Sequence, residues 1–184
     1  IDLSDAGHQP MSNEDDTIWI TFNGEIYNFK TLKIDLERRG HKFKSRTDTE
    51  VIIHLYEEYG EGCLEFLRGM FSFGIWDKRG NRLFLARDRF GIKPLLYHYK
   101  DDKFIFSSEI KPIAAAGVKL LPNNRVIYDF LAFGLQDHTK ETFFENIFQL
   151  APAHYLVFKN GQLAIKKYWD IEKNLFEVAK KEKD

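Results

Sequence analysis

The sequence predicts an α+β domain in which antiparallel strands are layered against helices. Two observations lead to this prediction. Three pairs of segments rich in β-branched and aromatic residues are each separated by a short turn, which is the pattern of antiparallel hairpins. Two earlier segments instead place apolar residues at helical spacing between helix start and stop signals. With 43% apolar and 15% aromatic residues over 184 positions, the chain can bury a core without disulfides or a structural metal.

The first predicted strand covers residues 17–22 and runs into Asn23-Gly24, a dipeptide typical of tight turns. The first helix is predicted over residues 29–39, because apolar residues recur there at helical spacing. Asn28 can cap the start of this helix, and Gly40 can end it in a left-handed conformation.

The second helix has the clearest signals in the chain. Thr47-Asp48-Thr49-Glu50 matches a capping box, in which Glu50 is expected to pair with Thr47. An apolar stripe follows, and Gly60 ends the helix. The stripe consists of Val51, Ile52, Leu55, Tyr56 and Tyr59.

Three antiparallel hairpins follow from the strand and turn signals. They pair residues 70–77 with 82–88, residues 95–100 with 104–107, and residues 154–159 with 162–168. Residues 70–77 carry large apolar side chains on both faces, so this strand is expected in a sheet that is covered on both sides. The two early helices are the expected covers.

The remaining segments are predicted to connect these elements. A short helical segment holds Cys63, and helical connectors are predicted over residues 109–116 and 126–133. The tail, residues 172–184, is a charged amphipathic stretch suited to a linker.

Charge and composition exclude several classes of function. The 27 Lys and Arg residues nearly balance the 28 Asp and Glu residues, and a net charge of −1 provides no field to attract nucleic acid or an anionic membrane. Apolar runs fall well short of the roughly 20 residues that a membrane-spanning helix requires. The single cysteine, Cys63, excludes an internal disulfide and favours a reducing compartment, so a cytoplasmic location is predicted.

Two groups of polar residues allow both a structural and a functional interpretation. Asn23 and Gly24 tolerate positive φ, which favours a turn. The side-chain amide of Asn23 and the backbone N–H of Gly24 can instead converge as an oxyanion hole, with Glu25 as a polar anchor beside it. Asp48 can cap the second helix, or its carboxylate can bind the ammonium group of a substrate.

Three further features are interpreted as structural. Cys63 has apolar neighbours and no flanking cation, so it is expected to be buried and not to be the nucleophile. Residues 87–94 lack the glycine spacing of phosphate-binding loops, which favours a structural or docking loop stabilised by internal ion pairs. The histidines form no i, i+4 pair, so no metal site is predicted. These histidines are His8, His41, His54, His98, His138 and His154.

Several short motifs follow one another along the chain. They are Phe22-Asn23-Gly24-Glu25-Ile26-Tyr27-Asn28, Thr47-Asp48-Thr49-Glu50, Gly69-Met70-Phe71-Ser72-Phe73, Arg87-Asp88-Arg89-Phe90-Gly91-Ile92-Lys93-Pro94-Leu95 and Ser107-Ser108-Glu109-Ile110-Lys111. In this order they resemble the class II glutamine amidotransferases, above all the glutaminase domains of glutamine-hydrolysing asparagine synthetases. The resemblance covers nearly the whole chain. It implies an N-terminal-nucleophile hydrolase fold, a four-layer αββα sandwich of two antiparallel sheets between helices.

The resemblance also implies roles for individual residues. The Asn23 side chain and the Gly24 N–H would be the oxyanion donors, while Glu25 and Asp48 would hold the polar head of L-glutamine. A nucleophilic N-terminal cysteine and a substrate-binding arginine strand are expected upstream of Ile1, which is at most the last residue of that strand. The fold is therefore expected to be N-terminally incomplete and this chain alone to be inactive.

The same resemblance predicts the organisation of the longer enzyme. Residues 1–135 would form the amidotransferase domain, and residues 136–184 a hairpin and linker toward a synthetase domain that uses MgATP. No cofactor is predicted within this chain, and the predicted partners are L-glutamine, the synthetase domain in cis and a second copy in a homodimer. Two alternatives stay open: a non-catalytic glutamine-binding or docking module of the same fold, and the glutaminase domain of another class II amidotransferase.

Overall fold

Two antiparallel sheets form the centre of the protein in the computed structural model, which describes residues 7–173. The large sheet has the strand order β1-β2-β3-β4-β8-β9, and the small sheet has the order β6-β5-β7. The strands are β1 (Met11–Ser12), β2 (Ile18–Ile26), β3 (Gly69–Asp77), β4 (Arg82–Arg87), β5 (Leu96–Lys100), β6 (Lys103–Ser107), β7 (Phe148–Gln149), β8 (His154–Lys159) and β9 (Gln162–Lys167). The helices are α1 (Phe29–Arg38), α2 (Asp48–Tyr59), α3 (Ile110–Ala115) and α4 (Asn124–Phe133), with a 3₁₀ turn at Gly60–Glu65.

Helix α2 covers one face of the large sheet. Its residues from Asp48 to Tyr56 are all buried, and they pack against the side chains of Ile18, Ile20 and Ile26 on β2. Helix α1 packs on α2 through its two buried leucines, Leu32 and Leu36. The two early helices therefore form the predicted cover, with α2 as the inner member.

The small sheet covers the opposite face of the large sheet. Leu85 of β4 and Tyr97 of β5 share a second apolar core, and the rings of Phe104 and Phe158 stack with centroids 4.8 Å apart. Helix α3 contacts β6. The layers follow the predicted αββα arrangement.

All three predicted hairpins are present, as β3–β4, β5–β6 and β8–β9. The third hairpin is an integral part of the large sheet, because β8 pairs with β4 from Tyr155 to Lys159. Residues beyond 135 thus contribute strands to both sheets. The division of the chain at residue 135 stays a prediction, and most of the predicted linker, residues 172–184, lies outside the described residues.

The predicted turn at Asn23-Gly24 is wrong. Strand β2 continues through both residues, which pair with Ser72 and Phe71 of β3 in an uninterrupted register. Glycine is needed at position 24 because the strands approach closely: a Cβ atom there would lie 2.2 Å from the carbonyl oxygen of Met70. The dipeptide therefore permits a close strand contact and does not reverse the chain.

The starts of the two helices also differ from the predicted caps. Asn28 makes no side-chain cap on α1; its amide instead bonds Phe66 O at 2.9 Å and Arg68 N at 3.0 Å. Thr47 does cap α2, since its Oγ1 accepts from Thr49 N. Glu50 does not pair with Thr47, because its carboxylate accepts hydrogen bonds from the loop ahead of the helix.

The carboxylate of Glu50 fixes the loop that leads into α2. It accepts from Lys44 N at 2.7 Å, from Ser45 N at 2.8 Å and from the Ser45 hydroxyl. Burial raises the pKa of this carboxyl, but interactions with His54, Ser45 and the two N–H groups outweigh it and lower the pKa to about 2. Glu50 is therefore ionised and helps to set the position of Asp48.

Within residues 7–173, every helix is too short or too polar to cross a bilayer.

The pairing of β2 with β3 depends on a second close approach. A Cβ atom at Gly69 would lie 2.1 Å from Glu25 O and 3.0 Å from Ile26 Cα. We expect Gly69→Ala to lower the free energy of unfolding by about 3 kcal/mol, because backbone atoms must separate. Urea denaturation measures this loss. Gly62→Ala is the control, since its Cβ would be 3.8 Å from Tyr59 Cβ, and an equal loss in both variants would contradict the explanation.

Candidate active site

Three of the predicted site residues, Asn23, Gly24 and Glu25, occupy consecutive positions near the end of β2. Side chains alternate between the two faces of a strand. Ile20 and Ile26 face the helical layer, so Asn23 and Glu25 face the small sheet. Glu25 is exposed and lies opposite Met70 of β3.

The side chain of Asn23 reaches the small sheet. Its Nδ2 donates a hydrogen bond of 3.0 Å to the hydroxyl of Ser108, which follows β6. An amide NH₂ group carries two N–H donors, and this bond uses one of them. Ser108 therefore orients the amide, and the second N–H makes no hydrogen bond within residues 7–173.

Asn23 and Ser108 line a cleft of about 330 Å³ between the two sheets. The other lining residues are Gln9, Thr21, Phe22, Ser72, Phe73, Gly74, Leu95, Phe106 and Ser107. Most of these residues come from β2, β3 and β6. The cleft is consequently a feature of how the two sheets pack, with the Asn23 amide on its wall.

The N–H of Gly24 points to the edge of β2 that faces away from β3. Phe22 N bonds the Gln9 side chain at 2.6 Å and Ile26 N bonds the Asp48 side chain at 2.8 Å, so both groups point to that edge. N–H groups two residues apart in a strand point the same way, which places the Gly24 N–H between them. Strand β1 pairs only with Trp19 and Ile20 and does not extend as far as Gly24.

Asp48 is brought to the same edge by the start of α2. Its Oδ2 accepts from Ile26 N at 2.8 Å, and its Oδ1 accepts from the Thr47 hydroxyl at 3.2 Å. The residue is only 3% exposed and does not line the 330 Å³ cleft. The structure thus places the Gly24 N–H and the Asp48 carboxylate, which is already bonded to the protein, on one edge of β2, while the Asn23 side chain lies on the strand face toward the small sheet. Ile1 lies outside the described residues.

Cys63 is fully buried in the core, as predicted. Desolvation raises the pKa of its thiol far above the ordinary value, so the reactive thiolate is strongly disfavoured. This residue packs as a small apolar side chain and has no access to the cleft.

The loop over residues 87–94 was predicted to be a structural or docking loop stabilised by internal ion pairs, and in the structure hydrogen bonds to the backbone hold it. The Arg87 guanidinium donates to the carbonyl oxygens of Gly91, Lys93 and Leu150. The Asp88 carboxylate accepts from the N–H groups of Phe71, Phe90, Ile92 and Lys93. Backbone groups therefore already bond the Arg87 guanidinium and the Asp88 carboxylate, so the Arg87 guanidinium is not free to bind a phosphate.

Two residues of this region had no predicted role. Ser108 belongs to one of the motifs named above, but its bond to Asn23 joins residues 85 positions apart. Gln9 bonds Phe22 N and lines the cleft. Neither contact has a local sequence signal, because each joins separate elements of the fold.

Known proteins resemble this chain in sequence and in fold. The sequence profile of a glutamine amidotransferase domain matches residues 1–169. Asparagine synthetase [glutamine-hydrolyzing] 3 of Bacillus subtilis is 39% identical over 171 residues, which cover 91% of this chain and 28% of that protein. Asparagine synthetase [glutamine-hydrolyzing] 2 of the same organism is 42% identical over 173 residues, covering 90% of this chain and 23% of that protein.

A solved structure shares the fold. The glutamine phosphoribosylpyrophosphate amidotransferase of B. subtilis, complexed with ADP and GMP, superposes with a TM-score of 0.63 at 20% identity, covering 88% of this chain and 32% of that one. At this identity the likeness concerns the fold alone. The chain spans about a quarter of the length of the curated relatives described above. From the matched profile and these relatives, the chain belongs to the glutamine amidotransferase family.

Proposed function

We propose that this domain hydrolyses L-glutamine to glutamate and ammonia, and that a synthetase domain of the same polypeptide uses the ammonia to convert aspartate into asparagine. The observation that carries the proposal is the end of β2, where the Asn23 amide lines the cleft and the N–H of the neighbouring Gly24 points to the strand edge at which Asp48 bonds Ile26 N. The names of the two B. subtilis relatives support the choice of asparagine as the product.

The reaction proceeds through a negatively charged intermediate. A thiolate attacks the carboxamide carbon of glutamine, and the carbonyl oxygen becomes an oxyanion. The second N–H of Asn23 and the N–H of Gly24 donate to this oxyanion, and ammonia leaves after taking up a proton. Water then hydrolyses the thioester to glutamate. Because Cys63 is buried, the attacking sulfur belongs to another cysteine.

Two carboxylates hold the substrate in this proposal. Glu25 is exposed on the same face as Asn23 and can accept a hydrogen bond from the substrate's polar head. Asp48 binds the substrate ammonium group while it keeps the hydrogen bond from Ile26 N, because a carboxylate has about four acceptor sites. MgATP is a substrate of the synthetase domain. Assembly as a homodimer and a cytoplasmic location stay predictions.

The first test of this proposal removes the oxyanion donor. In the intact protein, Asn23→Ala should lower glutamine-dependent asparagine formation by about 100- to 1,000-fold, because only glutamine hydrolysis passes through the oxyanion. Ammonia-dependent formation should stay unchanged. Asn124→Ala, at an exposed position in α4, is the control. Equal losses in both assays would contradict the role of Asn23.

Ser108 is expected to act as a positioning residue for Asn23. Without its hydroxyl, the Asn23 amide loses the bond that orients it, so Ser108→Ala should reduce kcat with glutamine by about 10-fold. In the Asn23→Ala background the second substitution should have little further effect. Additive losses in this double-mutant cycle would show that Ser108 acts independently of Asn23.

The Asp48 carboxylate is tested by Asp48→Asn. The new amide oxygen can still accept from Ile26 N, so the fold should be retained while the negative charge is lost. We expect the KM for glutamine to rise by about 10- to 100-fold, with Tm nearly unchanged. Asp35→Asn, on the exposed side of α1, is the control. A lower Tm with an unaltered KM would show that Asp48 only links α2 to β2.

A further inference from the structure

Two histidines and a glutamate meet away from the cleft, between the segment after α1 and the middle of α2. His41 Nδ1 lies 3.1 Å from His54 Nδ1, and Glu57 Oε2 lies 2.8 Å from His54 Nδ1 and 3.6 Å from His41 Nδ1. The three atoms form a triangle with edges between 2.8 and 3.6 Å. His54 and Glu57 are three residues apart on α2, a spacing that places them on one helix face.

The triangle has the dimensions of a tetrahedral zinc site. Zinc binds histidine nitrogen and carboxylate oxygen at about 2.0–2.1 Å, so two ligand atoms of a tetrahedral ion lie about 3.3 Å apart. The three observed separations bracket this distance. Among described residues, these three form a group whose ligand atoms all lie within 4.8 Å of one another.

The outer atoms of two of the three ligands, His41 and Glu57, are held by hydrogen bonds as in known metal sites. His41 Nε2 lies 3.0 Å from Glu58 Oε1, and Glu57 Oε1 accepts from Asn13 Nδ2 at 2.8 Å. A metal-bound histidine usually donates its other ring N–H to such an acceptor, which fixes the tautomer and the ring orientation. His54 Nε2 faces Glu50 Oε1 at 3.9 Å and is buried without a hydrogen-bond partner in the described structure.

Burial defines a closed and an open side of the cluster. The side chain of His54 is 1% exposed, while those of His41 and Glu57 are 15% and 17% exposed. An ion can therefore enter from the side of His41 and Glu57, and a water molecule can complete its coordination there. Glu50, Glu57 and Glu58 offset the charge of a divalent cation.

We propose that His41 Nδ1, His54 Nδ1 and Glu57 Oε2 bind one Zn²⁺ ion, with water as the fourth ligand. Two imidazoles and one carboxylate suit zinc, whereas Mg²⁺ and Ca²⁺ prefer oxygen ligands. The ion links His41, in the segment after α1, with His54 and Glu57 on α2. Asp48 is the first residue of α2. This role is structural and does not depend on the proposed glutaminase activity.

The test uses the intact protein after removal of metals with a chelator. Titration with Co²⁺ alone should produce the visible absorption of four-coordinate cobalt at one equivalent, and Zn²⁺ should displace it. Zn²⁺ should also raise Tm, because it binds only the folded state. His41→Ala and Glu57→Gln should each weaken Co²⁺ binding by at least about 100-fold and abolish the Tm increase. These partly exposed ligands are changed because a variant of buried His54 can fail to fold.

His138→Ala, at an exposed histidine outside the cluster, is the control and should bind Co²⁺ like the unaltered protein. The proposal is overturned if the folded protein binds less than one equivalent of Co²⁺. It is also overturned if His41→Ala and Glu57→Gln retain affinities within about tenfold of the original value.

Discussion

The hydrogen bond from Ile26 N to Asp48 Oδ2 connects the helical layer to the strand edge on which the site is built. It is 2.8 Å long and buried, and it joins the first residue of α2 to the last residue of β2. Glu50 secures the loop ahead of this helix, and the Thr47 hydroxyl caps the helix. The position of Asp48 is therefore fixed within the folded protein, so the proposed contact with substrate needs little further ordering of this side chain.

A second constraint comes from the opposite side of the strand. Asn23 is oriented by Ser108, which follows a strand of the small sheet. The proposed oxyanion donors, Asn23 and Gly24, thus depend both on the large sheet, to which they belong, and on the packing between the sheets, which brings Ser108 to Asn23. Because one fold can support several functions, the proposed function rests on the matched family and relatives together with these residues, and not on the fold alone.

Local signals predicted most of the elements, and contacts between distant segments account for the errors. The three hairpins and the two early helices were predictable because their turns, caps and periodicity lie within short windows. Asn23-Gly24 has the local signal of a turn, but the close contact of Gly24 with Met70 decides its conformation. Likewise, Glu50 has the spacing of a capping partner but bonds Lys44 and Ser45.

The candidate site and the histidine cluster were less predictable than the elements of the fold. The oxyanion assignment followed from a family resemblance, whereas the bond from Ser108 to Asn23 required the fold itself. No metal site was predicted, because the histidine spacing contains no i, i+4 pair. The fold nevertheless brings His41 next to His54 and Glu57. His41 lies outside α2, so its spacing from the other two residues in the sequence does not indicate that they are neighbours.

The complete burial of Cys63 has a practical consequence for studies of folding. A thiol in the interior is shielded from alkylating reagents until the surrounding core opens. It is the sole sulfhydryl in these 184 residues, so its rate of modification reports the opening of a single site. Cys63 is thus a natural chemical probe of local unfolding in this domain, and no label has to be introduced.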